Sequence, residues 1–297
     1  MKPNKKTIKL SILILACLVV AAASFYFEHQ KSQIAQFDPE GKTYFQLVTD
    51  KDRQPLPVPP SAIENGRTIT LPILMYHHVG SLPQVADKTQ ADLTVPTANF
   101  ASQVKWLSDN GYKSITLKDL YLFSLGKFTI PKKPVVFTFD DGYQDVFTNA
   151  IPILKQFGYT GSFGIITQKP GTVAGNNTYA SWEVIAQAYL NGQEIVSHTQ
   201  NHFDGSNPKF TADYIYQNLS GSVMDIKKNL GFTTNILIYP YGHYTDTYIE
   251  QAKKAGFIMG ITVHEGNEIN LDNLFELPRV RVHGAETLEE FEKSILE

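Results

Sequence analysis

The sequence predicts an α/β protein built on a mostly parallel sheet, carried behind an N-terminal membrane segment and a linker. Three observations predict it. Short apolar runs alternate with helix-period segments from residue 69 to the C-terminus, the pattern of strand–helix–strand units. Polar clusters stand directly after several of those runs, where an α/β protein keeps its chemistry. Hydrophobic residues make up 42% of the 297, enough to bury a full core without structural metals or disulfides. The single cysteine, Cys17, excludes an intrachain disulfide. With 26 basic and 29 acidic residues, net −3, the chain lacks the basic excess of a nucleic-acid protein, and no nucleic-acid partner is expected.

Each element follows in order. Lys2, Lys5, Lys6 and Lys9 precede Leu10 to Phe27, a run without charge. As a helix at about 1.5 Å per residue it reaches roughly 27 Å, close to a bilayer core of about 30 Å. The lysines belong inside, which puts the rest of the chain outside the cytoplasm. Residues 1–27 therefore read as a signal anchor. A cleaved signal peptide ending near Ala21-Ala22-Ala23 and a lipid-modified Cys17 are the alternatives. Residues 28–68 read as a linker, stiffened by Pro55-Leu56-Pro57-Val58-Pro59-Pro60. The globular domain is expected over 69–297, as a monomer.

In that domain Ile69–Tyr76 reads as a strand. Asn99–Asn110 reads as a helix, with Phe100, Val104 and Leu107 on one face and Gly111 stopping it. Val135–Phe139 is a buried strand, Val146–Phe157 a helix, and Ser162–Ile166 a strand. Ser181–Leu190 is a helix with Ser181 as N-cap, and Glu194–Val196 a strand. Thr211–Leu230 is a long helix with Ile215, Leu219, Val223, Ile226 and Leu230 in register before Gly231. Ile236–Tyr239 is a strand and Thr245–Ala255 a helix, and Phe257–Val263 and Leu277–Val282 are strands. A capping box, Thr287 to Glu290, opens the last helix.

Three polar clusters follow strands: Asp140-Asp141-Gly142-Tyr143, His198-Thr199-Gln200-Asn201-His202 and Tyr239-Pro240-Tyr241-Gly242. Successive side chains on a strand start in opposite directions, so one of the two aspartates can bind a cation while the other stays free. His198 and His202 are four apart; on a helical turn they share a face. One Asp and two His give the ligand count of a catalytic metal site with open positions.

These residues resemble the polysaccharide deacetylase family, the carbohydrate esterases of family 4 or NodB-homology domains. The family's motifs stand as Thr138-Phe139-Asp140-Asp141-Gly142, His198–His202 and Pro240-Tyr241-Gly242. The resemblance implies a distorted (β/α) barrel over the whole globular part and a divalent metal, usually Zn2+, with Co2+, Ni2+ or Mn2+ as substitutes. It implies Asp140 as general base, Asp141, His198 and His202 as metal ligands, and the Tyr241 amide as oxyanion donor. Gly142, Tyr143 and Trp182 join Tyr241 as expected substrate contacts, the aromatics by stacking on sugar rings. The sequence departs from the family at Ile238, where an arginine orienting the base is usual. Met75-Tyr76-His77-His78 instead resembles the circularly permuted subgroup that deacetylates poly-β-1,6-N-acetylglucosamine, a biofilm polysaccharide. That likeness implies His77 as general acid, with Arg279 in the role of the missing arginine. His283 is a rival acid, and His243 and His264 are read as loop residues. The expected partners are an N-acetylated extracellular polysaccharide and the membrane. Peptidoglycan or chitin deacetylation, a non-catalytic glycan-binding role and hydrolysis of a phosphoester are the competing readings.

Overall fold

The computed structural model describes residues 66–296; the expected membrane segment and almost all of the linker lie outside the described residues. None of the described helices is long and apolar enough to cross a membrane.

Seven strands carry the fold: β1 (Ile73–Tyr76), β2 (Pro134–Phe139), β3 (Ser162–Ile165), β4 (Glu194–Ser197), β5 (Ile236–Ile238), β6 (Met259–Glu265) and β7 (Leu277–Arg281). Each pairs in parallel with its successor, and β7 pairs with β1, so the sheet closes into a barrel. A two-residue strand, Lys113–Ser114, extends β2 on its outer side. Strands covered on both faces read as unbroken apolar runs, and every residue of β1 and β2 is buried. The helices around the barrel are α1 (Lys88–Leu93), α2 (Thr97–Asp109), α3 (Leu117–Ser124), α4 (Ile151–Gln156), α5 (Trp182–Leu190), α6 (Ala212–Leu230), α7 (Asp246–Lys254) and α8 (Leu288–Leu296).

Several predicted elements need correction. The strand expected over 69–76 is two strands. Thr68–Thr70 runs antiparallel to Glu268–Asn270, and only after Pro72, which has no N–H to donate, does β1 join the barrel. The helix expected over 146–157 opens as a π-helical turn, Val146–Ala150, before α4. Its register changes beside Pro152, which cannot donate a helical hydrogen bond. Helix α3 carries a signal the sequence reading passed over: Thr116 and Asp119 form a capping box, the Asp119 N–H donating to Thr116 Oγ1 at 3.1 Å and the Thr116 N–H to Asp119 Oδ2 at 2.9 Å. The long helix α6 matches its pattern. Thr211 caps it, Gly231 ends it at φ 81°, and Ile215, Leu219, Ile226 and Leu230 are buried.

Candidate active site and metal centre

Parallel closure points every strand's C-terminal end to one mouth. His77 follows β1 directly, Asp140 and Asp141 follow β2, His198 follows β4, and Tyr239–Gly242 follows β5. Among the described residues four that are not glycine have left-handed backbone: Asp141 (φ 72°), Thr199 (67°), His202 (60°) and Tyr241 (59°). All four stand in the three polar clusters. Strained backbone of this kind persists where the surroundings over-determine it, and it gathers at functional sites.

Asp140 is buried, and Arg279 from β7 is fully buried beneath it. The guanidinium grips the carboxylate with both arms, Nη1 to Oδ1 and Nη2 to Oδ2, each at 2.8 Å. Two further donors are used, Nε to the Thr262 carbonyl at 2.7 Å and Nη1 to Thr138 Oγ1 at 3.0 Å. A buried charge is tolerable only when paired and hydrogen-bonded, and this pair meets both conditions. Burial alone would raise the Asp140 pKa; the Arg279 charge and hydrogen bonds outweigh it and leave the carboxyl below its ordinary range. The His77 ring lies near the same carboxylate, Nε2 to Asp140 Oδ2 at 3.9 Å. Burial lowers the His77 pKa against the pull of Asp140 and Asp141.

The Asp141 carboxylate takes the opposite course. The left-handed turn at Asp141 ends the strand alternation, so this turn separates the two carboxylates. Gly142 continues it at φ 81°, and a Cβ there would press on Ile165 Cδ1 at 3.2 Å. Asp141 Oδ1 lies 3.3 Å from Nε2 of His198 and 3.3 Å from Nε2 of His202. It is buried and, among the described residues, has no hydrogen-bond partner. Ligand atoms held tetrahedrally at about 2.0–2.1 Å from a divalent cation are roughly 3.3–3.4 Å apart. An orphaned carboxylate oxygen facing two imidazole nitrogens at that spacing fits such a cation. Asp141, His198 and His202 also form the one cluster of three or more His, Cys, Asp or Glu found among the described residues whose ligand atoms all lie within 4.8 Å of one another.

The two histidines are prepared differently. His198 Nδ1 donates to the Ile238 carbonyl at 2.8 Å, which leaves the Nε2 lone pair free to bind. Burial disfavours its charged form, but Asp141 and Asp140 outweigh burial and raise its pKa. Burial and the His198 charge push His202 down to about 4, so its imidazole is neutral near pH 7, the form that ligates metals. They do not share the helical turn that their spacing suggested. Residues 198–203 contain no helix; the left-handed kinks at Thr199 and His202 fold the loop so that both rings meet, with centroids 4.9 Å apart.

Tyr241 sits on a tight turn with its ring 4.5 Å from that of His202 and half exposed at the mouth. Tyr143 is buried, stacked 3.8 Å from the ring of His78, whose Nδ1 lies 2.7 Å from Asp145 Oδ2. Trp182 opens α5 two residues beyond Ala180, whose N–H donates to the Gly142 carbonyl at 3.0 Å. Among the described residues Trp182 makes no hydrogen bond or ring contact with the cluster. His283 is turned away from Asp140: its Nδ1 pairs with Asp92 Oδ1 at 2.7 Å at an exposed position shared with Arg281. His243 is exposed and pairs with Asp204. Sequence reasoning missed the supports, Thr138 and Thr262 beneath Arg279 and the Ile238 carbonyl behind His198. Thr138 was in view as a member of the first motif; a backbone carbonyl carries no residue-type signal.

Comparison with known proteins gives concordant results. A family model described as polysaccharide deacetylase matches residues 127–260. YxkH of Bacillus subtilis, assigned by name to the polysaccharide deacetylases, is 30% identical over 287 residues, which are 93% of this chain and 94% of that one. The poly-β-1,6-N-acetyl-D-glucosamine N-deacetylase of Staphylococcus aureus is 29% identical over 206 residues, 66% of this chain and 70% of that one. Among solved structures, the Streptococcus pyogenes deacetylase PplD, in complex with acetate, superposes with a TM-score of 0.68 at 26% identity, covering 77% of this chain and 99% of that one.

Proposed function

Since the chain belongs to the polysaccharide deacetylase family, we propose that it hydrolyses the N-acetyl groups of a β-1,6-linked N-acetylglucosamine polymer with the help of a divalent cation, zinc before others. The observation that carries the reading is the division of labour between neighbours: Asp140 belongs to Arg279, and Asp141 to two histidines. The β-1,6 linkage is supported by the S. aureus relative named for that polymer and by the position of His77 directly after the first barrel strand rather than near the C-terminus.

A cation held by Asp141, His198 and His202 supplies, when bound, an acidified water and a Lewis acid for the acetyl oxygen. Asp140, kept ionised by Arg279, accepts the proton of the attacking water. The Tyr241 N–H donates to the oxyanion that forms on the acetyl carbon, a contact of a kind worth about 3–4 kcal/mol in other enzymes. His77 gives a proton to the amide nitrogen as the C–N bond breaks. Acetate and a free glucosamine unit result. The amine is cationic at neutral pH, so the product polymer differs from the substrate in charge. Tyr241 and Tyr143 line the approach of the sugar. Residues 10–27 hold the domain, as a monomer, on the outer side of the cytoplasmic membrane; membrane fractionation of the full chain tests this, and recovery in the soluble fraction would overturn it.

The substrate is tested by acetate release from β-1,6- and β-1,4-linked N-acetylglucosamine oligomers, assayed side by side with the zinc-loaded chain. Release from the β-1,6 series alone is expected. Release mainly from β-1,4 chains would move the reading to peptidoglycan or chitin.

A further inference from the structure

Helix α6 lies outside the catalytic cluster, and the apolar stripe read from its sequence accounts for only part of its inner surface. Beside that stripe runs a polar one, Asn218, Ser222 and Asp225, spaced as neighbours on one helical face. Asn218 and Ser222 are buried. Buried polar side chains need partners, and these find nearly all of theirs in or around one loop, the one that carries the metal-binding histidines.

The Gln200 N–H donates to Asn218 Oδ1 at 2.9 Å, and Asn218 Nδ2 donates to Asn201 Oδ1 at 2.8 Å. Ser222 Oγ lies 2.7 Å from Ser197 Oγ, which accepts the Thr199 N–H at 3.1 Å. Asp225 Oδ2 accepts from Gln200 Nε2 at 2.9 Å and from Thr167 Oγ1 at 2.7 Å. Thr199, Gln200 and Asn201 are thus each tied, directly or through Ser197, to the same helix. The loop ends at His202, whose N–H donates to Thr199 Oγ1 at 3.0 Å. Gly221 belongs to the device: a Cβ there would meet the Gln200 side-chain amide at 2.5–2.8 Å, so only glycine lets that amide lie across the helix to reach Asp225.

The two histidines depend on this unequally. His198 is fixed by the end of β4 and by the Ile238 carbonyl. Among the described residues the His202 ring has no such brace. Its place depends on the backbone of residues 199–202, two of which are in the left-handed region, a conformation that costs free energy unless held. We infer that Asn218, Ser222 and Asp225, with Gly221 as the clearance for Gln200, are positioning residues that hold His202 in the metal-binding geometry, so that cation affinity is set from α6. The inference rests on Asp141, His198 and His202 being the ligand set of the proposed function.

The test measures metal binding rather than turnover. Gly221→Ala and Asn218→Leu proteins are stripped of metal, and zinc affinity is read by competition with a chelating indicator. The visible spectrum of the Co2+-loaded protein reports ligand geometry. Gly221→Ala pushes aside only the far end of a flexible side chain and puts a better helix former in mid-helix, so the metal-free protein should melt no lower than the parent. Its zinc dissociation constant should nevertheless rise about tenfold or more, the usual scale for losing a support behind a ligand, and its cobalt spectrum should change. Asn218→Leu should weaken binding further. Parental affinity and an unchanged cobalt spectrum in Gly221→Ala would overturn the inference. Asp141→Ala, measured alongside, separates the two levels: if it too binds zinc as the parent does, the ligand assignment itself fails.

Discussion

Asp140 and Asp141 are adjacent in the chain and face different partners, and the backbone is left-handed at Asp141. The carboxylate aimed into the barrel finds Arg279, and the one aimed at the mouth finds His198 and His202. Removing one member of a buried ion pair strands the other, at a cost of about 3–5 kcal/mol. Arg279→Met should therefore lower unfolding free energy by that order in urea titrations and abolish acetate release. Adding Asp140→Asn to Arg279→Met should recover much of the stability and none of the activity, since the stranded charge is gone and so is the base. If the double variant is no more stable than the single one, the pair is not what holds this part of the barrel. His77 and His283 separate as cleanly. Only His77 lies beside Asp140, so His77→Gln should retain zinc and lose turnover by roughly 10²-fold or more. His283→Ala should stay close to the parent rate; the reverse pattern would exchange their roles.

The elements were legible in the sequence where one signal dominated. The buried strand 134–139, the long helix α6 and the capping box of α8 stand almost as read, because apolar period, N-cap and terminal glycine agree there. The site was legible through residue types at strand ends, but the reason given for the histidine pair was not the operating one. Spacing of four suggested a helical face, whereas the loop is irregular and hydrogen-bonded to α6, the next helix, across 17 to 25 positions. Helix α3 shows a similar long-range dependence. Its first amides, Leu117 and Lys118, donate at 2.9 Å to the carboxylate of Glu194 at the start of β4, which also accepts from the Ser162 hydroxyl. That anchor lies more than 70 positions away, beyond any local pattern. Glu194→Ala should cost roughly 1–3 kcal/mol of stability through the donors it leaves unpaired, measured by chemical unfolding, with turnover per folded molecule unchanged. A stability equal to the parent's would mean water replaces the carboxylate at no cost.

At the scale of the molecule, barrel closure is what makes the site. Asp140 and Arg279 are 139 positions apart and meet because β7 returns to pair with β1. From the sequence Arg279 was a candidate only through resemblance, since pairing between the first and last strands has no local signature. The chain's own apolar core fills the barrel, so the fold should not depend on metal. Chelation should abolish acetate release, leave far-UV circular dichroism in place and lower the melting temperature only by the linkage of a bound ligand. Unfolding on chelation would show instead that the cation is structural. The most direct test of the account as a whole asks whether neighbouring aspartates truly divide binding from proton transfer. Zinc content and acetate release should be measured on the same preparation of the Asp140→Asn protein. The account predicts zinc at the parental ratio with acetate release reduced at least 10²-fold; loss of the zinc, or turnover near the parental rate, would contradict it.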